Sequence, residues 1–231
     1  MNNFIKTIVL LTALSFTFIS CGTPSSPIDR LKSSLKDVPT YSILLEDMKE
    51  DGFISPSYYH KYRVVTPDDA YVTPWLKVSE KYFRLNSGFL GMSLVDKKDG
   101  KIEANPSPPG YQYVGDPQYG QWRTDSSGNS FWEFYGKYAL FSHLMGGWYR
   151  PVYRNDYDNY RSYSGRNMVY YGKNNTYGTS GSLSRQNNPS FFERRKAREA
   201  GFKQKFQSNL NKKVGRTKTG TFRGKAGRVG K

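Results

Sequence analysis

Along the first half of the chain, apolar positions alternate in short runs and take helical spacing only briefly. Ser26-Pro27-Ile28-Asp29 opens a helix, with Ser26 as N-cap, Pro27 at the first helical position and Asp29 reaching back to the cap. Ile28, Leu31 and Leu35 then share one face, and Pro39 stops it. Tyr41, Ile43 and Leu45 alternate with Ser42, Leu44 and Glu46 as a strand, and Asp51-Gly52 marks a turn. Tyr58 to Val65 is a second strand, with Tyr58, His60, Tyr62 and Val64 on one side, so the two form a hairpin or meander. Thr73-Pro74 is expected to open a short helix through Trp75, Val78, Tyr82 and Phe83. Met92–Val95 and Lys101–Ala104 flank Asp99-Gly100 as a further hairpin.

The longest helical pattern before the last segment follows Ser130-Phe131-Trp132-Glu133, a capping box that predicts a helix to Met145. Phe131, Tyr135, Tyr138, Phe141 and Met145 form one face, and Glu133 can pair with Lys137. Such a face belongs to a core or to a membrane interface; at about 22 Å the helix is too short to span a bilayer. From Trp148 to Asn188, Tyr, Arg, Asn, Gly and Ser replace the aliphatic side chains that would offset chain entropy, which predicts a loose linker. Ser190-Phe191-Phe192-Glu193 begins another helix, whose Phe191, Phe192, Phe202, Phe206 and Leu210 fall on one stripe. Arg195 and Glu199 can pair there, and Gly201 weakens the helix by roughly 1 kcal/mol against Ala.

The N-terminus is patterned differently. Lys6 precedes a mostly apolar run from Ile8 to Ile19, followed by Ser20-Cys21-Gly22. That is secretory-signal anatomy, and the run is too short for a retained span. Ile19-Ser20-Cys21-Gly22 resembles the lipobox of a bacterial lipoprotein precursor, although Phe18 stands where that family usually has Leu. The resemblance covers only this segment. It implies that Cys21 is diacylglycerol-modified and becomes the new N-terminus, anchoring the protein in membrane lipid after export. Gly22 rather than Asp after the cysteine favours, by the same resemblance, an outer membrane where the cell has one.

Charge divides the remainder. The chain of 231 residues carries a formal +16, with 35 Lys+Arg against 19 Asp+Glu. Residues 1–147 are neutral and residues 189–231 hold 14 cations and two glutamates, which describes a folded body with a basic tail. The organisation expected is therefore a signal peptide (1–20), a lipidated tether (21–26), a small α+β domain with about three helices (27–147), a linker (148–188) and a basic, partly helical tail (189–231).

Candidate chemistry is sparse. One cysteine and two histidines, His60 and His143, exclude a disulfide framework and a cysteine-based metal site, and no nucleophile elbow or His-Glu-x-x-His spacing occurs. No catalytic residue, metal or cofactor is assigned, and the protein reads as non-enzymatic. Tyr111, Tyr113, Tyr119 and Trp122 are rings that could stack on a glycan near Asp116, Asp125 and Glu133, or else pack rigid turns over a small core. The tail supplies the stronger signal. Arg194, Arg195, Lys196, Arg198, Lys203 and Lys205 lie on its helix; Lys212, Lys213, Arg216, Lys218, Arg223, Lys225 and Arg228 follow in a Gly- and Thr-rich stretch expected to stay disordered. Such a tail attracts polyanions. After export these are an anionic membrane surface or envelope polymer; nucleic acid is the alternative partner, and a glycan-binding or glycan-hydrolysing role is a third reading.

Overall fold

The computed structural model describes residues 26–217, with side chains to Lys213. The expected signal peptide and Cys21 lie outside the described residues, as do Lys218, Arg223, Lys225 and Arg228. The chain divides into two units, the first ending at Asp37 and the second beginning at Val38. In the first, α1 (Pro27–Ser34) starts as expected: the Asp29 N–H donates to Ser26 Oγ, and the Ser26 hydroxyl donates to Asp29 Oδ2 at 2.7 Å.

The second unit is built on an antiparallel sheet of β1 (Tyr41–Asp51), β2 (Ser57–Val65), β3 (Ala70–Val72), β4 (Leu76–Val78), β5 (Ser93–Lys98) and β6 (Lys101–Glu103). Its order is β3-β2-β1-β5-β6, and β4 shares the β2 edge with β3. With its helices, this is the expected α+β class. The alternation in β2 is observed: Tyr58, His60, Tyr62 and Val64 are buried, while Tyr59, Lys61 and Arg63 are half-buried on the other face. Asp99 and Gly100 turn β5 into β6 with φ of 48° and 81°, as the hairpin pattern predicts. The helix expected from Thr73-Pro74 is instead a kink in the edge strand. There Thr73 exchanges hydrogen bonds with the Tyr62 backbone, and Pro74 costs no ladder bond at an edge. The helix begins later, as α2 (Glu80–Asn86), capped by Ser79.

The aromatic helix expected over 131–145 does not form. Ser130–Phe134 is strand β8, paired with β7 (Gly120–Thr124) across a turn in which Asp125 Oδ1 accepts the Ser127 and Asn129 N–H groups. Phe131, Trp132 and Phe134 are strand-forming residues, and the opposed Trp122 and Trp132 rings pack edge to face at 5.2 Å. Glu133, expected to reach Lys137, pairs with Arg123 across the hairpin at 2.9 Å. Gly136 at φ 58° then turns the chain into a 3-10 turn and the short α3 (Phe141–Leu144). The core reading of this face holds for Tyr138, Phe141 and Met145, which are buried; Phe131 is half-buried and Tyr135 is exposed.

The expected linker is ordered too. It forms α4 (Arg154–Ser164) and α5 (Ser182–Asn187) and buries Trp148, Val152, Tyr160, Tyr170, Tyr177 and Leu183. Tyrosines do the work assigned to aliphatic residues. The Tyr160, Tyr170 and Tyr177 rings surround Tyr111 at 5.4, 6.2 and 6.1 Å, and the Tyr111 and Tyr170 hydroxyls donate to opposite oxygens of Asp156. Each such ring pair adds about 0.5–1.5 kcal/mol beyond its buried area.

The last helix, α6 (Pro189–Thr217), is capped two residues earlier than expected, at Asn188 rather than Ser190. Asn188 Oδ1 accepts from the Phe191 N–H and the Ser190 hydroxyl, and Pro189 fills the first position, where no N–H is needed. The helix also runs further, taking in Lys212, Lys213 and Arg216, which were expected to follow it.

Candidate anion-binding surface

A register shift in β1 between Leu45 and Asp47 organises this surface. A bulge re-aims consecutive side chains, and here Glu46 and Asp47 both hold the C-terminal part of the chain. Glu46 takes two bonds from Arg63 (2.8 and 3.0 Å) and one from Trp148 Nε1 (2.9 Å); its carbonyl accepts from Asn188 at the start of α6. Asp47 accepts from Arg194 Nη2 through both oxygens. One turn on, Arg198 pairs with Glu50 at 3.1 Å and donates to the Gly52 carbonyl. Arg195 pairs with Glu199 at 3.3 Å, as the sequence predicts.

Three of the cations expected to bind anions are thus committed to carboxylates of the fold. The others stand differently. Every described residue from Phe202 to Lys213 is exposed. Lys196, Lys203, Lys205 and Lys212 have no carboxylate partner among the described residues. At 100° per residue, Phe202, Phe206 and Leu210 make one stripe, with Lys203 along one side and Lys205 and Lys212 along the other.

Two features of the surface were missed in the sequence. The first is the tip of the β1–β2 hairpin, where Phe53 and Ile54 are exposed, Ile54 at 95%. The Phe53 ring meets Phe202 edge to face at 5.4 Å, with Lys205 Nζ 4.4 Å from its centre and Arg198 over both rings. Gly201 makes this approach feasible, because a Cβ there would come within 3.0 Å of the Phe53 ring. The residue read as a helix weakness is a seat. The second is Trp75, half-buried, with Lys49, Lys61 and Arg194 at 4.9, 4.8 and 5.6 Å from its ring. Alternation in β2 puts Lys61 on the outer face, but Lys49 comes beside it only through the shift in β1, and no sequence pattern joins either to Trp75.

The rings suggested for glycan stacking are mostly unavailable. Tyr111, Tyr113 and Tyr119 are buried, Tyr113 between Tyr119 and Phe141 at 5.1 Å from each. Only Trp122 is half-exposed, and Arg154 already lies over it at 4.7 Å. Tyr111, Tyr113 and Tyr119 thus pack inside the fold, whereas Trp122 stands on strand β7.

Besides several buried tyrosines, one histidine and one carboxyl group are pushed far from their usual ranges by burial. Burial drives His60 down to about 4; its Nδ1 lies 3.0 Å from the Tyr62 hydroxyl and its ring packs against Phe83. Burial raises Asp96 to about 6, although Ser42 donates to it at 2.5 Å. Both side chains are buried in the core. Among the described residues, no cluster of His, Cys, Asp or Glu could hold a metal ion, and no helix is long and apolar enough to cross a membrane. No family model, curated protein or solved structure matches the chain.

Proposed function

We propose that this is a non-enzymatic, lipid-anchored envelope protein that lays its C-terminal helix on an anionic membrane surface. The supporting observation is the exposed apolar stripe of α6, extended by Phe53 and Ile54 and bordered by unpaired lysines. An acidic polymer needs only the cations. An apolar stripe between lysines suits a lipid–water boundary, where rings enter the acyl edge and ammonium groups stay with the headgroups. Each Lys or Arg near such a surface contributes about 1 kcal/mol, so a few suffice for reversible attachment.

In this reading Cys21 carries the permanent anchor, on an outer membrane where the cell has one, and α6 makes the second, electrostatic contact. Arg194, Arg198 and Phe191 serve to dock the helix, and the lysines beyond them meet lipid. The test is binding of a chain beginning at Ser26 to vesicles of anionic or zwitterionic lipid. Binding to the anionic vesicles alone, weakened by salt, supports the reading. Tighter binding to single-stranded nucleic acid or to a soluble acidic polysaccharide at matched salt, if it is lost when residues 203–231 are removed, replaces the membrane with that partner.

A further inference from the structure

Away from α6, a cavity of 790 Å³ opens between the start of β8, the first turn of α4 and α5. Its size falls within the roughly 300–1,000 Å³ of small-molecule sites. We propose that it is a binding site for a carboxylated oligosaccharide, such as a short run of uronic acid residues. This goes beyond the membrane reading and uses different residues.

Charge is the first argument. Arg150, Arg154 and Lys173 line the cavity against one carboxylate, Asp156. Asp156 already accepts the Tyr111 and Tyr170 hydroxyls, whose pKa values burial raises, so they stay neutral donors. Arg150 donates only to neutral acceptors: the Gly147 and Tyr149 carbonyls at 3.0 and 2.8 Å and Gln186 Oε1 at 3.2 Å. The nearest carboxylate oxygen to Arg154 is that of Asp158, at 3.9 Å. Helix α4 begins at this wall with no side-chain cap, which adds a partial positive charge. The lining therefore favours an anion.

The neutral lining specifies its kind. Asn129, Thr176 and Gln186 offer amide and hydroxyl groups of both donor and acceptor character, suited to sugar hydroxyls. Tyr153, 43% exposed, provides a ring for the apolar face of a pyranose. The cations supply what a carboxylate needs, and Arg can meet it with two parallel hydrogen bonds. A phosphate ligand would use the same cations but leave the amides and the ring without a role.

The experiment titrates the full chain in detergent micelles with trigalacturonic acid, its carboxyl-reduced neutral counterpart and inorganic phosphate, followed by calorimetry. Saturable binding of the acid, about tenfold weaker for the neutral sugar and for phosphate, is expected. Lys173→Gln and Tyr153→Ala, both at exposed positions, should each weaken it about fivefold, while Lys203→Gln/Lys205→Gln should leave it unchanged. The proposal is overturned if the acid does not bind, if the neutral sugar or phosphate binds as well, or if only the α6 variant matters.

Discussion

Arg194 and Asp47, 147 positions apart, are joined through Arg194 Nη2 and both carboxylate oxygens at 2.6 and 2.8 Å. The pair converts a cationic segment into a docked helix. Asp47 is only 13% exposed and Arg194 38%, so the contact is partly shielded from water. Arg194 also stands over Trp75 beside Lys49 and Lys61, and Asp47 neutralises one charge of that group.

Replacing Asp47 by Ala leaves Arg194 among like charges. The expected cost is about 2 kcal/mol, since removing one partner strands the other. Hydrogen exchange should quicken at the amides of α6 from Arg194 to Phe202 while β1 and β2 stay protected. Unchanged exchange in α6 would mean that Glu50, Asn188 and the buried Phe191 hold the helix alone.

Ile54 tests the hairpin tip. At 95% exposure its side chain adds little to folding, so Ile54→Ser should leave the denaturation midpoint unchanged yet weaken binding to anionic vesicles by about threefold, the loss of part of one buried side chain. Equal binding would remove the tip from the contact. Gly201→Ala should act on the same surface indirectly, by pushing the Phe53 ring away from α6.

His60 sets an acid limit. Its pKa of about 4 in the fold lies below the 6.5 of an unhindered imidazole, so its contribution is present above pH 6.5 and is lost as pH falls through 4. His60→Phe should therefore change in stability relative to the original protein by about 3 kcal/mol between pH 7 and pH 4, at 1.36 kcal/mol per unit. Asp96 runs the other way. Its pKa of about 6 is above the unfolded 3.8, so its contribution is present below pH 3.8 and is lost as pH rises through 6. Urea denaturation of both proteins across this range measures the difference; parallel curves would contradict the buried neutral imidazole.

Much of the sheet was legible because its signals are local. The β2 alternation, the Asp99-Gly100 turn and the Ser26 cap each need only a few neighbouring residues. The failures came where one local pattern serves two structures. Ser130-Phe131-Trp132-Glu133 spells a capping box, yet its rings are also strand formers, and only pairing of Trp132 with Trp122 decides between them. Tyr-rich 148–188 looked too polar for a core because burial of tyrosine depends on hydroxyl acceptors, here both oxygens of Asp156, which sequence spacing does not show. On the cationic surface, charge alone shows where the lysines and arginines concentrate. Which cations remain available was not legible, because a one-residue shift in β1 gives Asp47 to Arg194.

Cys21 carries the anchoring half of the proposal. Metabolic labelling with a fatty-acid analogue should mark the protein and miss Cys21→Ala. Equal labelling of both would remove lipidation at this residue, and with it the membrane address.

Truncation after Phe202 tests the central claim most directly, because it keeps the Asp47–Arg194 and Glu50–Arg198 pairs and removes the projecting half of α6. Co-sedimentation with anionic vesicles is measured at low salt for chains beginning at Ser26, with and without residues 203–231. The loss of several lysines and arginines, each contributing about 1 kcal/mol near the surface, predicts at least tenfold weaker binding with an unchanged midpoint of unfolding. Equal binding by the truncated chain, at the same stability, would contradict attachment through this helix.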